Sequence, residues 1–167
     1  IPLLIASDYE RGLGQWMSDG GTLFPSNMAI SATGDPMNAY NQGKIISEES
    51  RALGVHLILA PVLDINNNPK NPIINLRSYG DGADIVSRFG IQFIKGIQDG
   101  GASACAKHFP GHGNTDKDSH SSLPVINVDK KTIQKNELAP FKEAIDSDVN
   151  SIMIGHLVVP ALDKENV

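Results

Sequence analysis

Short, nearly continuous apolar runs recur along the chain, and each is followed by a stretch of helical period. Leu3 to Ser7 is the first run and Val55 to Ala60 the second; Ala102 to Ala106 is a weaker third and Ser151 to Gly155 the fourth. Runs of this length without polar alternation fit strands of a parallel sheet covered on both faces. Between them lie three helical patterns. Asp35 to Leu53 places Met37, Ile45, Ile46 and Leu53 on or near one face, with Gly54 as a stop signal. Ala83 to Gln98 aligns Ile85, Val86, Phe89, Phe93, Ile94 and Ile97, and Gly100-Gly101 ends it. Asp129 to Asp146 uses Ile133, Leu138, Phe141, Ala144 and Ile145. The alternation predicts an α/β fold.

Polar residues gather after every predicted strand. Asp8 and Glu10 follow the first, Asp64 and Asn66 the second, Lys107 and His108 the third, and His156 the fourth. In a parallel barrel or an open parallel sheet these positions converge on one rim, where ligands bind. Both architectures fit. A full (β/α)8 barrel takes about 250 residues, so four strands in 167 residues make about half of one. No repeat, low-complexity tract or interdomain linker divides the chain, and residues 1–167 are read as a single domain.

Composition narrows the partners. The formal charge is -5 with no basic run, which argues against nucleic acid and anionic membranes. No signal peptide or apolar run of membrane-spanning length is visible. The chain opens on Ile1 rather than Met, so the native start is expected to lie upstream. The single cysteine, Cys105, sits in an apolar run and is read as a buried, inert thiol.

The chemistry concentrates between Lys107 and His120, in the segment KHFPGHGNTDKDSH. Pro110, Gly111 and Gly113 force a shaped loop on the chain just where Lys107, His108 and His112 cluster. Further on, Asp118-Ser119-His120 offers a second unit. In an extended stretch residues i and i+2 point the same way. The Asp118 carboxylate would then fix the tautomer of His120 and leave its other nitrogen as a positioned general acid or base. The alternative for these three residues is an Asx-type turn with a surface histidine. A metal site is disfavoured, because Pro110 and Gly111 prevent His108 and His112 from sharing a helical face. Asp8, Asp64, Arg77 and Lys107 suit a neutral polyhydroxylated ligand, which charged groups anchor through directional hydrogen bonds. For Asp64, capping a loop is the competing reading. Trp16 is read either as a sugar-stacking ring or as a rim cover.

Taken in order, five segments resemble glycoside hydrolase family 3, in its β-N-acetylglucosaminidase subgroup. They are Ile5 to Gly12, with Asp8-x-Glu10-x-Gly12; Leu59 to Asn66; and Asn71-Pro72 through Arg77-Ser78-Tyr79-Gly80. Lys107 to Gly113 with Asp118-x-His120, and Met153 to Asp163, complete the set. The resemblance implies a (β/α)8 TIM-barrel type, with about four strands present. The chain would be part of the family's N-terminal catalytic domain, in a retaining exo-β-N-acetylglucosaminidase that acts on peptidoglycan or chitin fragments. It further implies that Asp8, Arg77, Lys107 and His108 hold the terminal sugar. His120 would be the acid/base assisted by Asp118, and no metal or organic cofactor is implied. The family's nucleophile is an Asp on a later strand that no segment here matches, so these 167 residues alone are expected to turn nothing over. A half-barrel also exposes sheet edges, so self-association is expected if the segment folds alone.

Overall fold

A computed structural model of the chain describes residues 2–119 and 122–164. Among the described residues there are four strands, β1 (Ala6–Ser7), β2 (Leu57–Ile58), β3 (Ser103–Phe109) and β4 (Ser151–Ile154). The α-helices among the described residues are α1 (Asn27–Ser31), α2 (Met37–Ala52), α3 (Ala83–Asp99), α4 (Lys130–Lys135) and α5 (Ala139–Asp146).

Every strand pair is parallel and the order is β1-β2-β3-β4. That order decides between the two architectures left open by the sequence. A doubly wound sheet reverses its strand order at a switch point, and its helices change face there. Here neighbours in sequence are neighbours in the sheet throughout. The helices keep the same succession, α2 packing on α3 and α3 on α5. This is an arc of a (β/α) barrel.

The two central helices meet through glycine. A Cβ on Gly43 would lie 2.4 Å from the Phe93 carbonyl oxygen, and one on Gly96 would lie 2.1 Å from that of Tyr40. Only hydrogen at both positions lets the α2 and α3 backbones touch. Around this contact a core runs from Tyr9 and Ile46 through Phe89, Phe93 and Ile97 to Phe141 and Ala144. Cys105 is buried, as expected. A satellite cluster of Ile126, Ile133 and Val159 lies outside it.

Three features differ from the sequence expectation. First, α2 buries Ala39, Gln42, Gly43, Ile46, Ser47 and Ser50, while Met37, Ile45 and Leu53 are exposed. The close approach to α3 selects small residues for much of the buried face, so of the apolar residues expected there only Ile46 marks it. Second, the stretch read as one helix from 129 to 146 is two. Asp129 caps α4 by accepting the Lys131 and Thr132 N–H groups, and Pro140 sits in the first turn of α5. Proline has no N–H to continue a helix and its ring clashes with the turn before it, so the break falls upstream at Asn136. Third, β1 and β2 are two residues each, although pairing continues irregularly beyond them, as from Leu59 N–H to the Ser7 carbonyl at 3.0 Å.

Candidate active site

The polar residues at the C-terminal ends of the first, third and fourth strands converge, while after the second Asp64 is buried and Asn66 lines a separate pocket. Asp8, Glu10, Lys107, His108, His112 and His156 line one cleft of about 600 Å³ together with Arg77. Each arrives by a different local device. Lys107 is held by the sheet, its N–H donating to the Pro61 carbonyl and its carbonyl accepting from Leu63. The β3–β4 register shifts between Lys107 and Phe109, an irregularity of the kind that re-aims side chains at a barrel rim.

Arg77 comes from a 3-10 turn, Asn75–Arg77, that Asn71 sets up. The Asn71 side-chain oxygen accepts from the N–H groups of Ile73 at 2.9 Å and Ile74 at 2.8 Å. Its amide reaches across to the β3 loop, donating to the carbonyls of His112 and Gly113. Gly113 is equally constrained. A Cβ there would fall 1.6 Å from the Ile65 carbonyl oxygen, so the β2 and β3 loops lie backbone to backbone.

Four charged groups form the floor of the cleft. Arg77 grips Glu10 with two donors, Nε to Oε2 at 2.9 Å and Nη2 to Oε1 at 2.6 Å. Lys107 Nζ lies 2.7 Å from the same Oε1 and 2.5 Å from Asp8 Oδ1. Burial by itself would raise the Glu10 pKa. The Arg77 hydrogen bonds and the charges of Lys107 and Arg77 outweigh it and hold the carboxyl at about 2. The same pairing raises Arg77 above its ordinary value against the opposing effect of burial. The Lys107 side chain is 2% exposed and that of Asp8 51%, so Asp8 presents the cluster to solvent.

Asp64 does different work. It is fully buried and its Oδ1 accepts from His112 N–H at 2.6 Å and His108 N–H at 3.2 Å. Its Oδ2 lies 2.6 Å from His108 Nδ1. Desolvation pushes the Asp64 pKa up, but the His108 hydrogen bond and the backbone donors bring it below the ordinary value. Ionised Asp64 therefore holds the proton of His108 on Nδ1 and leaves Nε2 free for a ligand. Of the two readings available from the sequence, loop cap is the one that applies. Trp16 is exposed and tied to the rim, its Nε1 donating to the Asp8 carbonyl at 2.9 Å.

Asp8, Arg77, Lys107 and His108, expected as sugar holders, are thus in one place. Glu10, the hub between Arg77 and Lys107, stands in the sequence reading as a polar residue after a strand and a member of the Asp8-x-Glu10-x-Gly12 motif, with no role assigned to it. Asp118 follows the β3 loop, and its neighbour Ser119 lines the cleft. Ser119 lies in a turn, and Ser122 N–H donates to the Asp118 carbonyl at 3.1 Å. His120 lies outside the described residues. Among the described residues no three His, Cys, Asp or Glu side chains are grouped to hold a metal ion.

An arc of a parallel barrel with charged, hydrogen-bonding side chains at its C-terminal rim is a scaffold on which enzymes of many kinds build their active sites. The chain belongs to glycosyl hydrolase family 3: the model of the family's N-terminal domain matches residues 1–167. It is 38% identical over 173 residues to the beta-hexosaminidase A of Pseudoalteromonas piscicida, covering 100% of this chain and 29% of that protein. It is 35% identical to a beta-N-acetylglucosaminidase/beta-glucosidase of Cellulomonas fimi, covering 98% of this chain and 29% of that protein. Among solved structures it matches the family 3 beta-N-acetylglucosaminidase of Paenibacillus sp. str. FPU-7 with a TM-score of 0.96 and 46% identity, over 100% of this chain and 32% of that one. The chain thus spans about a third of the length of these relatives.

Proposed function

We propose that residues 1–167 are the substrate-holding and acid/base part of the catalytic domain of a retaining exo-β-N-acetylglucosaminidase. It would remove terminal N-acetylglucosamine from peptidoglycan or chitin fragments. The observation that carries this reading is the cluster in which Lys107 and Arg77 converge on Glu10, with Asp8 presented to the cleft. In it, Asp8, Arg77 and Lys107 hold sugar hydroxyls and His108 adds its free Nε2. His120, assisted by Asp118, gives a proton to the glycosidic oxygen while a carboxylate from outside this segment bonds to the anomeric carbon. His120 then takes a proton from the water that releases the sugar. The step draws on no metal or organic cofactor.

The test is turnover of 4-nitrophenyl N-acetyl-β-glucosaminide and the corresponding glucoside by the full-length native protein, with and without EDTA. Preference for the N-acetyl substrate and indifference to chelator are expected, with loss of activity in Asp8→Asn. Chelator-abolished turnover would overturn the reading. Activity on both glycosides would match the double name of the Cellulomonas fimi relative and broaden the substrate class.

A second property is favoured by the exposed apolar residues Leu4 and Ile154 beside β1 and in β4, the two outer strands of the arc. A segment produced by itself pairs with another copy through these edges. Light scattering that gives a monomer would refute it. No helix among the described residues is long and apolar enough to cross a membrane.

A further inference from the structure

We propose that Thr115 is a positioning residue for the acid/base segment, acting through a buried network with Asn71 and His112. The inference rests on the role given above to Asp118 and His120.

Thr115 is 3% exposed and stands midway between His112 and Asp118. Its Oγ1 lies 3.1 Å from His112 Nδ1, 3.2 Å from the His112 carbonyl and 3.2 Å from the Lys117 carbonyl. Asn71 Nδ2 approaches it at 3.5 Å. A threonine hydroxyl has one proton and two lone pairs. Its proton can go to the carbonyls at the two ends of the turn or to the His112 ring, and a lone pair faces the Asn71 amide. Lys117 is the residue immediately before Asp118, so this hydroxyl ties the chain directly ahead of the proton-transfer unit.

The other end of the network reaches the sugar-holding residues. Asn71 builds the turn that delivers Arg77 and also holds the His112 and Gly113 carbonyls. Asp64 holds the His112 N–H and the His108 ring. Between Phe109 and Lys130 the described residues include no helix or strand, so this path depends on such ties. Because the network is buried, each lost bond goes uncompensated by water. His112 Nε2 is itself buried without a partner among the described residues, leaving the Thr115 bond as the ring's polar anchor.

A misplaced general acid matters in proportion to how much the leaving group needs its proton. When the C1–O bond breaks, a phenolate must be protonated, whereas a 2,4-dinitrophenolate departs as the anion. In the full-length native enzyme, Thr115→Val is therefore expected to lower kcat/KM for phenyl N-acetyl-β-glucosaminide by about 10- to 100-fold. It should lower the value for the 2,4-dinitrophenyl substrate by less than about threefold, and Thr115→Ser should restore both. Equal losses on the two substrates, or no loss, would overturn the proposal. So would failure of both Thr115→Val and Thr115→Ala to fold, since the hydroxyl would then be a folding requirement. His120→Ala separates this inference from the reading beneath it. Leaving-group selectivity in His120→Ala but not in Thr115→Val sinks the Thr115 role alone. Its absence in His120→Ala sinks the acid/base assignment and the Thr115 role with it.

Discussion

Replacing Glu10 with Gln keeps the shape of the hub and removes its charge, and the structure fixes both the size and the pH signature of the result. The folded carboxyl titrates at about 2 against an ordinary 4.5. At about 1.4 kcal/mol per pH unit that gap is worth about 3 kcal/mol of folding stability. The figure sits at the lower end of the range for removing one member of a buried ion pair, roughly 3–5 kcal/mol. Because the folded value is depressed, the contribution is fully present above 4.5 and is lost as pH falls towards 2. Urea unfolding of wild-type and Glu10→Gln native protein, followed by circular dichroism at several pH values, isolates it. Every other carboxyl titrates in both proteins and cancels in the difference. The expected gap is about 3 kcal/mol at pH 7, narrowing by about 1.4 kcal/mol per pH unit below 4.5. A gap that stays constant with pH, or is below about 1 kcal/mol at pH 7, would refute the reasoning.

Asp64→Asn puts an amide where the backbone N–H groups of His108 and His112 now find an anion. A loss of about 3 kcal/mol is expected, read as a lower thermal midpoint. Gly113→Ala forces the backbone away from the Ile65 carbonyl and should cost at least about 2 kcal/mol, seen as a lower urea midpoint; an unchanged midpoint would contradict the close approach. Arg77→Lys gives up the two-pronged grip on Glu10. In the full-length enzyme it should raise KM for the aryl N-acetylglucosaminide about tenfold with a smaller change in kcat.

The strands and the rim were legible because each depends on a local pattern. An apolar run followed by Asp8, or by Lys107-His108, announces a strand end whatever lies elsewhere. The pairing of those rim residues was not legible from pattern alone. Asp8 and Lys107 are 99 positions apart; strand-end placement put them on one rim, but not in direct contact. Glu10 was harder still, since its importance comes from two distant cations, Arg77 on a 3-10 turn and Lys107 in β3. The face of α2 was misread for a related reason. Apolarity is a proxy for burial, and it fails where a neighbouring backbone comes too close for any large side chain. The break between α4 and α5 was visible in Pro140, but the apolar period running through it from Ile133 to Phe141 concealed it.

The arrangement of charge in the cleft bears on what it binds. Two cations, Arg77 and Lys107, are matched by two anions, Asp8 and Glu10, all joined through ion pairs. Matched charge leaves little net field to draw in an ionic ligand, yet each group remains a stronger hydrogen-bonding partner than any neutral one. A neutral ligand rich in hydroxyls gains from both conditions. The order of burial then assigns the work: Glu10 and Lys107 are almost fully enclosed, Arg77 is partly exposed and Asp8 is half exposed. The enclosed pair fixes the positions and charges of the outer pair, so a ligand that reaches Asp8 and Arg77 would meet groups already oriented. The exposed edge of the cleft and the buried salt-bridge cluster are therefore one device. The same pairing that suits the cleft to a neutral hydroxylated ligand keeps two cations stable beneath the barrel rim.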